Sequence, residues 1–115
     1  MPRIAPSTCV ASHDHDTAKL PHFLASYRKY VAGLLLNHDE HRAMSLAVGG
    51  DFETVGVLEY CLLLQEGLKP EHTLVDVGCG SGRLAYQMKD YLKGTYVGID
   101  VVPELLRYAT NLRPR

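Results

Sequence analysis

The sequence predicts an α/β fold class: N-terminal helices followed by one β-α-β-α unit. Three observations predict it. Phe23, Leu24, Tyr27, Tyr30, Val31, Leu34 and Leu35 recur at three- and four-residue steps, the stripe of an amphipathic helix. The period then switches at residues 73–77, where Thr73-Leu74-Val75-Asp76-Val77 reads as a strand. A glycine-rich turn, Gly78-Cys79-Gly80-Ser81-Gly82, separates that strand from a further helical stretch.

The elements follow in order. Residues 1–20, with Pro2, Pro6, Ser7, Ser12 and His13-Asp14-His15-Asp16, show no apolar period and read as a disordered leader. Residues 21–70 form a helical cap. Pro21 suits a first helical turn, where its missing N–H is not needed, and Asn37 marks a stop. A short helix from Asp39 places Ala43, Met44 and Leu46 inward and ends before Gly49-Gly50. Asp51 has the chemistry of an N-cap, with Phe52, Val55, Leu58, Cys61, Leu62 and Gln65 following at helical spacing and Gly67 as a left-handed stop. After the first strand, residues 83–92 read as a helix with Leu84, Met88, Tyr91 and Leu92 apolar. Residues 96–99 then form a second strand ending at Asp100, and Pro103 opens a last helix. A strand–crossover–strand unit of this length implies parallel pairing, and strands without polar alternation are expected to be covered on both faces.

Composition removes several classes. Among 115 residues, 12 Lys+Arg against 13 Asp+Glu leave a formal charge of -1, which disfavours nucleic acid or an anionic membrane as partner. No apolar run approaches the roughly 18 residues a membrane span needs, and the leader has no apolar core of a signal peptide. Cys9, Cys61 and Cys79 form no CxxC pair and leave one thiol odd, which points to a reducing, cytoplasmic setting.

The chemistry concentrates in residues 75–83. Glycines at alternate positions between a strand and a helix permit positive φ and let a ligand touch the backbone. The helix that follows presents free N–H groups at its start. Asp100, at the end of the second strand, suits a carboxylate accepting from ribose hydroxyls, with a strand-end cap as the plainer reading. A dinucleotide fingerprint fits poorly. In the register Gly80, Gly82 and Ala85, Asp76 and Gly78 fall where apolar residues belong; starting at Gly78 puts Arg83 where a third glycine should pack. Asp76 itself is costly beside a core unless paired, and a cationic ligand group would supply the pairing.

These residues resemble a known family. Val75-Asp76-Val77-Gly78-Cys79-Gly80-Ser81-Gly82 is similar to motif I of the class I methyltransferases that use S-adenosylmethionine, and Gly98-Ile99-Asp100-Val101 resembles their second motif. The resemblance implies a Rossmann-like domain beginning at residue 71 and running to 115. It implies that Asp76 lies near the methionine amino group and that Gly78, Cys79, Gly80 and Gly82 border the methionine arm. It further implies that Asp100 takes the ribose hydroxyls and that Val101 packs on the adenine. The segment Ala47-Val48-Gly49-Gly50-Asp51-Phe52-Glu53, with Gly56 and Glu59, is similar to the stretch that leads into this domain in bacterial members.

The same resemblance implies seven strands, of which two are readable. The sheet is therefore expected to be incomplete, its first strand open to self-association or to a complementing chain. A small-molecule acceptor is expected, with protein and nucleic acid left open and nucleic acid disfavoured by the near-neutral charge; no residue stands out as a base, and Tyr27, His38 and His41 in the preface are candidates only if they reach the site. Two other readings stay open: a fragment of an NAD-dependent oxidoreductase, and a non-catalytic interaction module. His38-Asp39-Glu40-His41 matches no metal spacing and reads as a solvated helix start, so no metal is expected. Cys79, at a helix N-terminus that could lower its pKa, reads as a small residue tolerated in the loop rather than as a nucleophile.

Overall fold

The structure is a computed structural model that describes residues 3–4 and 21–112. In chain order these form β1 (Arg3–Ile4), α1 (His22–Asn37), α2 (Glu40–Ala47), α3 (Phe52–Gln65), β2 (Leu74–Val77), α4 (Arg83–Met88), β3 (Thr95–Ile99) and α5 (Pro103–Asn111). The leader expected over residues 1–20 lies outside the described residues except at Arg3–Ile4, which is a strand and not irregular chain.

The local signals act as elementary chemistry dictates. Pro21 stands immediately before α1. Asp39 Oδ1 accepts from Arg42 N at 3.0 Å and Asp51 Oδ1 from Thr54 N at 3.3 Å, so each carboxylate caps the helix it precedes. Gly67 closes α3 in the left-handed conformation, at φ 93°. The helix expected over 83–92 stops at Met88 instead. The chain then runs through a turn in which the N–H groups of Tyr91 and Leu92 both donate to Met88 O, and the N–H groups of Lys93 and Gly94 donate to Pro70 O.

The strands β2 and β3 pair in parallel, with Asp76 opposite Gly98 and Val77 opposite Ile99, and β1 pairs in parallel with the other edge of β3. The sheet order is β1-β3-β2. Side chains alternate between faces, so Leu74, Asp76, Tyr96 and Gly98 share one face. That face is covered: Tyr96 is buried with Leu84, Met88 and Leu92, and Leu63, Leu68 and Leu74 pack against them. The opposite face corrects the expectation of cover on both sides. Val75, Val77 and Ile99 are exposed, Val77 by 78%. The reason is where the helices go. Helices α3 and α4 serve the Tyr96 side, while Val31 of α1, Met44 and Ala47 of α2, and Val102 and Leu105 at α5 form a second core of their own. Among the described residues β2 pairs with β3 alone.

The helical preface also differs in which faces it buries. In α1 only Val31 is fully buried, with Leu24, Tyr27 and Leu34 packed beside it, while Phe23, Tyr30 and Leu35 are exposed. In α2 the buried residues are Ala43, Met44, Ser45 and Ala47, and Leu46 is half-buried. In α3 the stripe through Leu58, Cys61, Leu62 and Gln65 faces outward, and Phe52 and Gly56 face in. Gly56 explains the choice. A Cβ there would stand 2.9 Å from Arg83 O, so this glycine is what lets α4 approach α3 closely.

The C-terminus of α2 has a complete account of its acceptors. Ser45 O receives the N–H groups of Val48 and Gly50, and Leu46 O receives that of Gly49. The remaining carbonyls accept from side chains of other elements: Met44 O from Ser81 Oγ at 3.0 Å, Ala47 O from Tyr27 Oη at 2.7 Å, and Val48 O from Arg83 Nη1 at 2.9 Å. A helix end normally leaves its last carbonyls without intrahelical partners, and here three long-range side chains satisfy them. No helix among the described residues is long and apolar enough to cross a membrane.

Candidate functional site

The end of β2, the glycine loop and the end of β3 open into a cavity of about 270 Å³. It is lined by residues the sequence singled out, namely Asp76, Gly78, Cys79, Gly80 and Asp100, Val48 and Glu59 of the lead-in segment, and Tyr27, together with Arg83 and Leu84. Parallel pairing puts the C-terminal ends of both strands side by side, so two acids 24 positions apart reach one cavity.

The loop is bent to leave β2 without lengthening it. Gly78 N and Cys79 N both donate to Ile99 O, at 2.7 and 3.0 Å. Gly80 has φ 58°, and a Cβ on it would stand 2.6 Å from Val48 Cγ1, so the α2–α3 connection lies directly on the loop. Asp100 holds the loop from the other side. Its Oδ2 accepts from Gly80 N at 2.9 Å and its Oδ1 from Val102 N at 3.0 Å. The strand-end cap and the ligand role are therefore not exclusive, because each carboxylate oxygen has a second lone pair.

The remaining lining groups are arranged by charge. Arg83 Nη2 donates to Glu59 Oε1 at 2.7 Å, forming an ion pair at the cavity wall. Asp76 receives a hydrogen bond from the phenol of Tyr96, a neutral donor. The cavity thus holds the carboxylates of Glu59, Asp76 and Asp100 against the single guanidinium of Arg83, and that guanidinium is already ion-paired to Glu59. The charges of Asp76 and Asp100 have no cationic partner among the described residues, and such a site favours a cationic ligand.

Three neighbours have raised pKa values, through burial first and the nearby acids second. Burial, then the charges of Asp76 and Asp100, push the Cys79 thiol up to about 12. The lowering that a helix N-terminus could supply does not prevail: the desolvation and the two acids outweigh the start of a six-residue helix, and the group stays a thiol. Tyr96 is raised, first by burial and then by its hydrogen bond to Asp76. Tyr27 is raised by burial and then by Asp100, and its hydroxyl serves as a donor to Ala47 O.

Not every expected residue meets at the cavity. Gly82 does not line it; it lies against α5, where an added Cβ would stand 2.9 Å from Ala109 Cβ. Val101 is 62% exposed beyond Asp100 and does not line it either. Tyr27 reaches the cavity, whereas His38 ends α1 and His41 Nδ1 is hydrogen-bonded to the Tyr108 hydroxyl, away from it. Tyr96 carries no sequence signal of its own, and nothing in local spacing announces its bond to Asp76 or the ion pair of Arg83 with Glu59, 20 and 24 positions apart.

Residues 68–115 match a family model described as a methyltransferase domain. The match takes in β2, the glycine loop, α4, β3 and α5, hence both acids of the cavity. No solved structure matches the chain.

Proposed function

We propose, from the match of residues 68–115 to a methyltransferase-domain model, that the cavity binds S-adenosylmethionine in a Rossmann-like setting. The methyl group would pass to a small-molecule acceptor in the cytoplasm. One observation carries the reading: Asp76 and Asp100, two acids without a cationic partner among the described residues, face a cavity bordered by a glycine loop. A ligand with an ammonium, a sulfonium and a ribose diol matches that set. Asp76 would hold the ammonium, and Asp100 would accept from the ribose hydroxyls while keeping its two backbone donors.

The loop argues against a dinucleotide. A pyrophosphate needs free backbone N–H groups, yet those of Gly78, Cys79, Gly80 and Gly82 are already paired within the chain. Two uncompensated carboxylates would also repel its charge.

S-adenosylmethionine supplies, when bound, a methyl group on a sulfonium that is already an activated electrophile. The chain's own task is then alignment. The glycine loop, fixed by Ile99 O and Asp100, gives a rigid floor; Val48, seated on Gly80, closes one side against water. Tyr27, with its raised pKa and its hydroxyl donated to Ala47 O, keeps its proton and is no base. The near-neutral charge supports a small-molecule acceptor over nucleic acid.

Titration calorimetry with S-adenosylmethionine, S-adenosylhomocysteine and NAD tests the proposal. Binding of the first two without NAD is expected. Binding of NAD alone, or of none of the three, overturns it.

A further inference from the structure

Tyr96 is buried and lies on the same face of the sheet as Asp76, but the two are not opposite each other. Leu74 stands opposite Tyr96, and Asp76 stands opposite Gly98. The phenol must therefore reach diagonally, across the place a side chain at position 98 would fill. A Cβ on Gly98 would stand 3.2 Å from Tyr96 Cε1 and 2.9 Å from Cys79 Sγ. The glycine is what admits the contact. The phenol donates to Asp76 Oδ2, and Asp76 Oδ1 has no partner among the described residues.

The identity of the donor matters. A lysine or arginine at this place would cancel the charge of Asp76 and compete with any cation arriving from the cavity. A phenol satisfies one oxygen and leaves the negative charge in place. Arg83, the cation nearest in the cavity wall, is held off by Glu59 and Val48 O.

We infer that Tyr96 is a positioning residue: it fixes Asp76 Oδ2 so that Oδ1 faces the cavity as an acceptor for the ammonium of a bound amino-acid group. The inference rests on the cofactor reading above and adds to it the residue that aims the acid.

The test is Tyr96→Phe, which keeps the ring packed among Leu84, Met88 and Leu92 and removes only the hydroxyl. Two ligands are compared by calorimetry: S-adenosylhomocysteine, and 5′-methylthioadenosine, which lacks the amino-acid group. The variant is expected to weaken S-adenosylhomocysteine by about tenfold and to leave methylthioadenosine within about twofold. In an Asp76→Asn background, Tyr96→Phe should add nothing further. If Tyr96→Phe does not fold, Gly98→Ala in a Cys79→Ala background, compared with Cys79→Ala alone so that the sulfur is not what the new methyl meets, should reproduce the selective loss. Equal losses for both ligands, or no loss for either, overturn the inference alone. Failure of the unaltered protein to bind either ligand overturns the cofactor reading and this inference with it.

Discussion

Arg83 Nη2 lies 2.7 Å from Glu59 Oε1, which ties the first residue of α4 to the middle of α3 at the wall of the cavity. The same guanidinium reaches Val48 O through its other nitrogen, so one side chain joins three segments. Replacing it by alanine leaves a carbonyl and a carboxylate without their donors. Because Glu59 is about a third exposed, water recovers part of the loss. Arg83→Ala is expected to cost about 1–2 kcal/mol by urea denaturation. Glu59→Gln, which keeps an acceptor, should cost less.

Gly56 sits where α3 and α4 touch. Alanine is the better helix former by roughly 1 kcal/mol. Its Cβ, however, would stand 2.9 Å from Arg83 O, a backbone atom that cannot turn aside. Overpacking of this kind costs about 1–3 kcal/mol, so the clash outweighs the propensity. Gly56→Ala should lower the thermal midpoint, and a rise would show that the two helices are free to separate.

Asp100→Ala removes the acceptor for Gly80 N and Val102 N and, under the proposed reading, for the ribose. The affinity for S-adenosylhomocysteine should fall by about 1.5–3 kcal/mol in calorimetry. Asp100→Asn retains one carbonyl acceptor and should lose less. Unchanged affinity in both variants would remove Asp100 from the site.

The raised pKa of Cys79 has a sign in stability. The folded protein holds this proton more tightly than the unfolded chain, so the stabilisation is full below about pH 9 and is lost as pH rises from there towards 12. Tyr96 and Tyr27, both raised, act in the same direction. Denaturation at pH 8 and pH 10 should show the lower stability at pH 10. Iodoacetamide labelling followed by mass spectrometry should modify exposed Cys61 well before buried Cys79.

Much of this arrangement is legible in the residues. Asp39, Asp51, Gly67 and Pro103 mark helix ends by local chemistry that needs no tertiary partner. The glycine loop and Asp100 follow from a strand, a turn and a second strand of ordinary length. What is not legible depends on distant partners. Helix α3 carries Leu62, Leu63 and Leu64 in succession, so its apolar residues do not choose a face; Gly56 and the backbone of Arg83 choose it. The early end of α4 is likewise not legible, because Tyr91 and Leu92 keep turn bonds to Met88 O and the sequence offers no stop before Gly94. The pairing expected for Asp76 is partly met by a phenol rather than only by a ligand, because the glycine opposite it leaves room for a ring two residues away.

Tyr27, Ser81 and Arg83 belong to α1, the glycine loop and α4, and all three terminate on carbonyls at the end of α2. That end of α2 therefore acts as a keystone. Pulling it out would strip donors from three carbonyls at once and unseat Val48 from Gly80, so the helical preface and the loop should open together or not at all. A protease that attacks the α2–α3 connection would then report on the glycine loop, although the two stretches are some thirty positions apart in sequence.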